Sequence, residues 1–130
     1  MAAETGASSS TKLSYIRALA PNMKNVHVQF IVLDCGSVRR TQQGSEMRTL
    51  HVADGSGSIN VNLWKELATA PVQPGDLLRL RNVNATLHKG SLALNTNRGS
   101  ELLKYGEFFL PYSELPNMSE FRPDLKTAAD

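Results

Sequence analysis

Apolar positions in this chain fall in short alternating runs separated by turn residues, a pattern that predicts strands rather than helices. The first run, Val26–Leu33, alternates at Val26, Val28, Phe30 and Val32, with Ile31 and Leu33 on the opposite face. So many β-branched residues predict a central strand, covered on both sides for part of its length. Polar residues from Gly36 to Gly44 predict a loop carrying Arg39 and Arg40. A second strand is predicted over Met47–Ala53. Asp-Gly-Ser-Gly at 54–57 then predicts a tight hairpin whose Asp and Gly accept positive φ. Ser58–Trp64 alternates strictly, with Ile59, Val61 and Leu63 on one face and Ser58, Asn60, Asn62 and Trp64 on the other.

A single helical turn is predicted at Lys65–Ala70, and Gln-Pro-Gly-Asp at 73–76 predicts a turn with Pro second and Gly third. The fourth strand starts at Leu77, with Leu78 and Leu80 inward and Arg79 and Arg81 outward. The alternation breaks within Asn82–His88, which predicts a bulge. Lys89-Gly90 turns the chain into a fifth strand, Ser91–Thr96, and Leu102–Tyr112 is apolar enough to pack back. Five strands with a helical piece after the third predict an all-β fold, the small OB-type barrel. A sandwich of this length would need more strands. The expected organisation is a flexible tail over 1–12, an OB-fold domain over 13–112 and a C-terminal tail over 113–130.

Composition narrows the function. Of 130 residues, 41% are hydrophobic and 20% charged, the mix of a globular domain. The lone cysteine, Cys35, allows no internal disulfide and reads as a small thiol at a strand end. No run of about 18 apolar residues is present, so no membrane-spanning helix is expected. The net charge of +2 is unevenly spread: residues 36–98 carry eight Lys/Arg against four Asp/Glu, and residues 99–130 carry three against six. A basic middle beside an acidic end predicts a surface facing a polyanion.

No catalytic set can be assembled. His27, His51 and His88 are scattered, and one cysteine cannot complete a zinc site with them. The acidic residues of the barrel region stand beside turns. The 54–58 run joins two strands and lacks the ending of a phosphate loop. No enzyme, cofactor or metal is therefore expected. Single-stranded nucleic acid needs cations along its backbone and flat surfaces for its bases. Trp64 is the stacking candidate, because strand phase groups it with Asn60 and Asn62 rather than with the core. Arg39, Arg40, Arg48, Arg79, Arg81, Lys89 and Arg98 are the candidate phosphate contacts.

The runs VQFIVLDCG, MRTLHVADGSGSINVNLW, QPGDLLRL and YGEFFLPYSELPNMSE resemble the single-OB-fold DNA-binding proteins that form the B-type component of the sensor of single-stranded DNA (SOSS) complex, over roughly residues 19–120. The resemblance implies single-stranded DNA binding, a nuclear location and a role in the DNA damage response and double-strand break repair. It also implies docking of a helical scaffold protein resembling integrator complex subunit 3, through a segment that lands on Gly106, Glu107 and Phe108. In that family bases stack on a Trp and three further rings. The Trp is kept as Trp64, while the other positions fall on Asn84, His88 and Asn95. Each lost stack removes about 1–3 kcal/mol. Of these positions only His88 keeps a ring, and Asn95 is expected to contact base edges by hydrogen bonds instead. The alternatives are RNA as the ligand, or an OB module for protein interaction that has shed nucleic-acid binding.

Overall fold

A computed structural model describes residues 13–107 and 112–120. Its strands are β1 (Val26–Cys35), β2 (Arg39–Arg40), β3 (Glu46–Asp54), β4 (Gly57–Trp64), β5 (Asp76–His88), β6 (Ser91–Asn95) and β7 (Glu101–Glu107). Five of them close into a ring, β1-β3-β4-β6-β5 and back to β1. Every pairing in that ring is antiparallel except β4–β6, which runs parallel. This is the predicted all-β barrel, and the strands coincide with the apolar alternation.

Inward positions form one core. Val28, Phe30, Leu50, Val61, Leu80 and Leu94 are fully buried within it. β1 is apolar on its second face too, and Ile31 there joins Ala53 and Leu77 in a smaller buried cluster outside the barrel. Each end of the barrel is plugged by a 3-10 turn. Ile16 of Ile16–Ala18 is fully buried, as is Ala68 of Lys65–Thr69, where the helical turn was expected.

The turns follow local chemistry. Gly75 takes φ 94 at the third position of Gln73–Asp76, and Asp76 N–H donates to Gln73 O at 3.1 Å. That is the type II geometry which Pro then Gly prefers. Lys89 and Gly90 both take positive φ, 52 and 81, the twist of a primed hairpin turn. The Asp54–Gly57 hairpin differs from expectation, because neither Gly55 nor Ser56 takes positive φ. The Asp54 carboxylate holds this turn instead, accepting from Ser56 N–H at 2.7 Å and from its hydroxyl at 2.6 Å.

Two irregularities lie along β5 and its neighbours. Asn82 adopts φ 59 and forms the bulge in β5: Val26 pairs Val83 while Val28 pairs Leu80, so β5 carries an extra residue. Leu78 and Leu80 before it and Val83 and Ala85 after it all point inward, which explains the broken alternation. β6 and β7 both pair with this same strand, and residues 96–100 connect them, with Thr96 buried and Asn97, Arg98 and Gly99 exposed.

The stretch assigned to a C-terminal tail contributes, over 113–120, contacts to the barrel. Ser58 N–H donates to Pro116 O at 3.0 Å, Met118 N–H to Ser58 O at 2.7 Å, and the Ser119 hydroxyl to Leu92 O at 2.6 Å. Pro116 O lies 2.6 Å from where a Cβ on Gly57 would stand, so only glycine admits this approach. The tail expected over 1–12 lies outside the described residues.

Candidate nucleic-acid interface

The outward face of β3, β4, β6 and β5 is polar, as strand phase requires. Thr49 pairs Asn62, Asn62 pairs Asn95, and Asn95 pairs Asn84, so these side chains lie side by side across four strands. They form a hydrogen-bonded row. The Thr49 hydroxyl donates to Asn62 Oδ1 at 2.8 Å, Asn62 Nδ2 to Asn95 Oδ1 at 3.1 Å, and Asn95 Nδ2 to Thr86 Oγ1 at 2.5 Å. His51 Nδ1 and Asn60 Oδ1 lie 2.8 Å apart one step along the same face.

Trp64 ends β4 at the edge of this floor. Its backbone N–H donates to Thr96 Oγ1 at 2.9 Å, and its indole N–H to Asn95 Oδ1 at 2.8 Å. The half-buried ring lines an open groove of about 1200 Å³, together with Arg40, Lys65 and Arg98. Three elements therefore bring cations to one place. β2 supplies Arg40, the 3-10 turn after Trp64 supplies Lys65, and the loop between β6 and β7 supplies Arg98.

Two of these carriers are anchored. Arg40 donates to Gly44 O at 3.3 Å and pairs with Glu46 at 3.6 Å, yet its side chain remains 68% exposed. A pair so open to water contributes little and leaves the guanidinium available. The 96–100 loop is pinned to the β5 bulge. Asn82 O accepts from Asn97 Nδ2 at 3.0 Å and from the Ser100 hydroxyl at 2.6 Å. Arg98 is thus held out by a loop that closes on itself through Gly99 N–H to Asn97 Oδ1 at 2.8 Å.

Other candidate cations lie elsewhere. Arg39, expected in a loop, sits in β2, and its guanidinium approaches Met47 Sδ at 3.7 Å in a small adjoining recess. Arg48 falls in phase with the buried Leu50 and Val52 and therefore caps the barrel end. Its Nε donates to Gly36 O at 2.8 Å and its Nη1 to Ala70 O at 3.5 Å. Arg79 and Arg81 face away from the groove. Arg79 donates to Gln29 Oε1 at 2.8 Å, and Arg81 pairs with Glu101 at 3.7 Å. His88 and Lys89 are exposed at the β5–β6 turn, beyond the groove lining, with His88 in phase with Thr86 on the floor side. Asn95, expected to offer its amide to bases, has Oδ1 engaged twice within the protein. Of the docking residues, Phe108 lies outside the described residues, and of Glu107 only the backbone is described, closing β7 opposite Asp76.

Lys65 adds to the cations named from the sequence, and its position directly after the stacking candidate is the signal that marks it. The contribution of Thr96, Asn97 and Ser100 had no such signal, because it depends on the bulge at Asn82. Burial, then the Arg81 charge, lowers the pKa of His27, whose Nδ1 accepts from Asn82 N–H at 3.1 Å. Burial raises that of the Cys35 thiol, the weak donor to Val72 O at 3.6 Å. Among the described residues no cluster of His, Cys, Asp or Glu could hold a metal ion.

No family model matches the chain. It is 28% identical over 109 residues to the single-stranded DNA binding protein Ssb of Saccharolobus solfataricus, covering 81% of this chain and 73% of that protein. A hypothetical protein of Arabidopsis thaliana, known from its solution structure, superposes with a TM-score of 0.69 at 16% identity, over 85% of this chain and 84% of that one. The second OB-fold domain of replication protein A from Methanococcus maripaludis does so with 0.62 at 20% identity, over 74% and 97%. The strand order, the parallel β4–β6 closure and these superpositions agree: the chain is an OB-fold, similar in sequence to a single-stranded DNA-binding protein.

Proposed function

We propose that this chain binds single-stranded DNA along the groove, stacking a base on Trp64 and placing phosphates against Arg40, Lys65 and Arg98. The observation that carries this reading is the convergence of one indole and three cations from separate elements on one groove, where Trp64 ends β4 at the edge of the polar sheet face. Stacking on a ring and neutralising the backbone are the two things an unpaired strand requires. The sequence similarity to a single-stranded DNA binding protein supports the same reading. Binding is non-covalent, and the protein acts as a binding subunit rather than as an enzyme.

The finer assignment follows the motif resemblance. The chain serves as the DNA-binding subunit of a nuclear DNA-damage-response complex of the SOSS type, docking a helical scaffold protein through Glu107 and Phe108. Register supports a separation of the two surfaces. Gly106 pairs Leu77, Leu77 pairs Ile31, and Ile31 pairs Ala53, so this segment starts at the Asp54 end of β3. Trp64 pairs Met47 at the other end.

Titrating a fluorescent oligonucleotide against the protein at several salt concentrations tests the proposal. Three phosphate contacts give a log–log salt slope of about −2. Saturable quenching of Trp64, the only tryptophan, accompanies binding. No binding of DNA with retained scaffold binding would favour the interaction module instead.

A further inference from the structure

An indole N–H can only donate. That of Trp64 donates to Asn95 Oδ1 at 2.8 Å, and this single constraint sets the direction of the whole amide row. With Oδ1 of Asn95 facing the ring, its Nδ2 must face Thr86 Oγ1. Asn62, approaching the same oxygen at 3.1 Å, must present Nδ2, which turns its own Oδ1 to the Thr49 hydroxyl at 2.8 Å. Reversing Asn95 would set the indole N–H against another donor. The row is therefore a directed chain, and its terminus is the edge of the ring that borders the groove.

We propose that Asn95 is the positioning residue of the stacking platform: it holds the Nε1 edge of Trp64 on the sheet and so fixes the orientation in which the indole meets a nucleobase. This role rests on the nucleic-acid-binding reading of the groove. The backbone bond from Trp64 to Thr96 Oγ1 fixes the main chain but leaves the side-chain torsions free. Among the described residues, Asn95 alone ties the polar edge of the ring. A ring ordered before binding loses less rotamer freedom when a base arrives. Asn95 is in turn supported from both sides, by Asn62 on β4 and Thr86 on β5, so the lock is braced across three strands.

The test uses Asn95→Ala, Asn95→Asp and Thr86→Val, each followed by Trp64 fluorescence anisotropy decay in the free protein and by titration with a thymidine oligonucleotide. Asn95→Ala should release the ring, giving faster depolarisation and a shifted emission, and weaken binding about three- to tenfold. Asn95→Asp keeps the acceptor and should restore the wild-type anisotropy, a rescue that a merely structural role would not produce. Unchanged anisotropy in Asn95→Ala, or no restoration by Asp, overturns the proposal. Should Asn95→Ala not fold, Thr86→Val removes only the brace and should loosen the ring to a smaller extent; no loosening overturns the proposal equally. A wild-type protein that binds no oligonucleotide defeats the underlying reading, and is recognisable because the anisotropy differences persist without it.

Discussion

Two arginine-bearing surfaces of this barrel behave differently. Around the groove, Arg40 and Arg98 extend from β2 and from a pinned loop, and their heads stay in water beside Trp64. On the β1–β5–β7 side, Arg79 and Arg81 lie flat on strands, where Gln29 and Glu101 stand opposite and engage them. Arg48 goes further and spends its donors on backbone carbonyls at the barrel end. Charge counted along the chain treats these residues alike. What separates them is strand phase and exposure: Arg40 also pairs with the residue across its ladder, Glu46, but its side chain stays 68% exposed against 35% for Arg81.

This contrast can be broken by mutation. The largest effect belongs to the ring: Trp64→Ala should weaken single-strand binding by about 1–3 kcal/mol, measured by anisotropy of a labelled oligonucleotide, with little change in melting temperature. Unfolding of that variant would mark the ring as core instead. Next come the cations. Arg40→Ala with Arg98→Ala should make the log–log salt slope shallower by about 1.4, whereas Arg79→Ala with Arg81→Ala should leave it unchanged. Equal changes in both pairs would erase the distinction between the surfaces. Arg48→Ala should act on the fold rather than on the ligand, lowering unfolding free energy in urea by about 1–2 kcal/mol while the affinity of the folded protein is retained.

The smallest effect is expected on the engaged side, at His27. Burial and the Arg81 charge hold its pKa below the ordinary 6.5. The unfolded chain therefore takes up a proton more readily than the folded one as the pH falls. His27 costs no stability above pH 6.5, and stability declines as the pH drops below that value. His27→Gln keeps an acceptor for Asn82 N–H and removes the titration, so its melting temperature should be flatter than wild type across that window. A wild-type curve as flat as the variant's would show that His27 is not shielded.

The barrel was legible because its strands alternate cleanly and its turns use Pro-Gly and Lys-Gly at the right positions. The bulge is legible as a break in phase within Asn82–His88, though its place at Asn82 and the left-handed backbone that makes it are not. The Asp54 turn was read for the wrong reason, since a carboxylate can replace positive φ in holding two residues. The site was half legible. Phase placed Trp64 beside the asparagines, and the same phase argument puts Arg48 with Leu50 and Val52, which a tally of cations obscures. Asn95 was read as free to contact bases because nothing in sequence shows that a residue on β6 meets the indole edge of a residue on β4. That contact depends on the parallel closure of the barrel, a pairing of distant segments.

The Asp54–Gly57 hairpin has a practical corollary. Its carboxylate accepts from Ile16 N–H at 2.9 Å, its carbonyl from Ser113 N–H at 2.8 Å, and Pro116 lies against Gly57. The segments around Ile16 and around Ser113–Pro116 are therefore gathered at one pole, and Trp64 lies at the far end of β4, about 20 Å away at the rise of an extended strand. A dye or surface linkage attached at an exposed residue of these segments, such as Arg17 or Glu114, would sit on a handle, with the groove facing outward. Immobilisation through that handle should leave ligand capture intact, while attachment through a cysteine introduced in the 96–100 loop should block it.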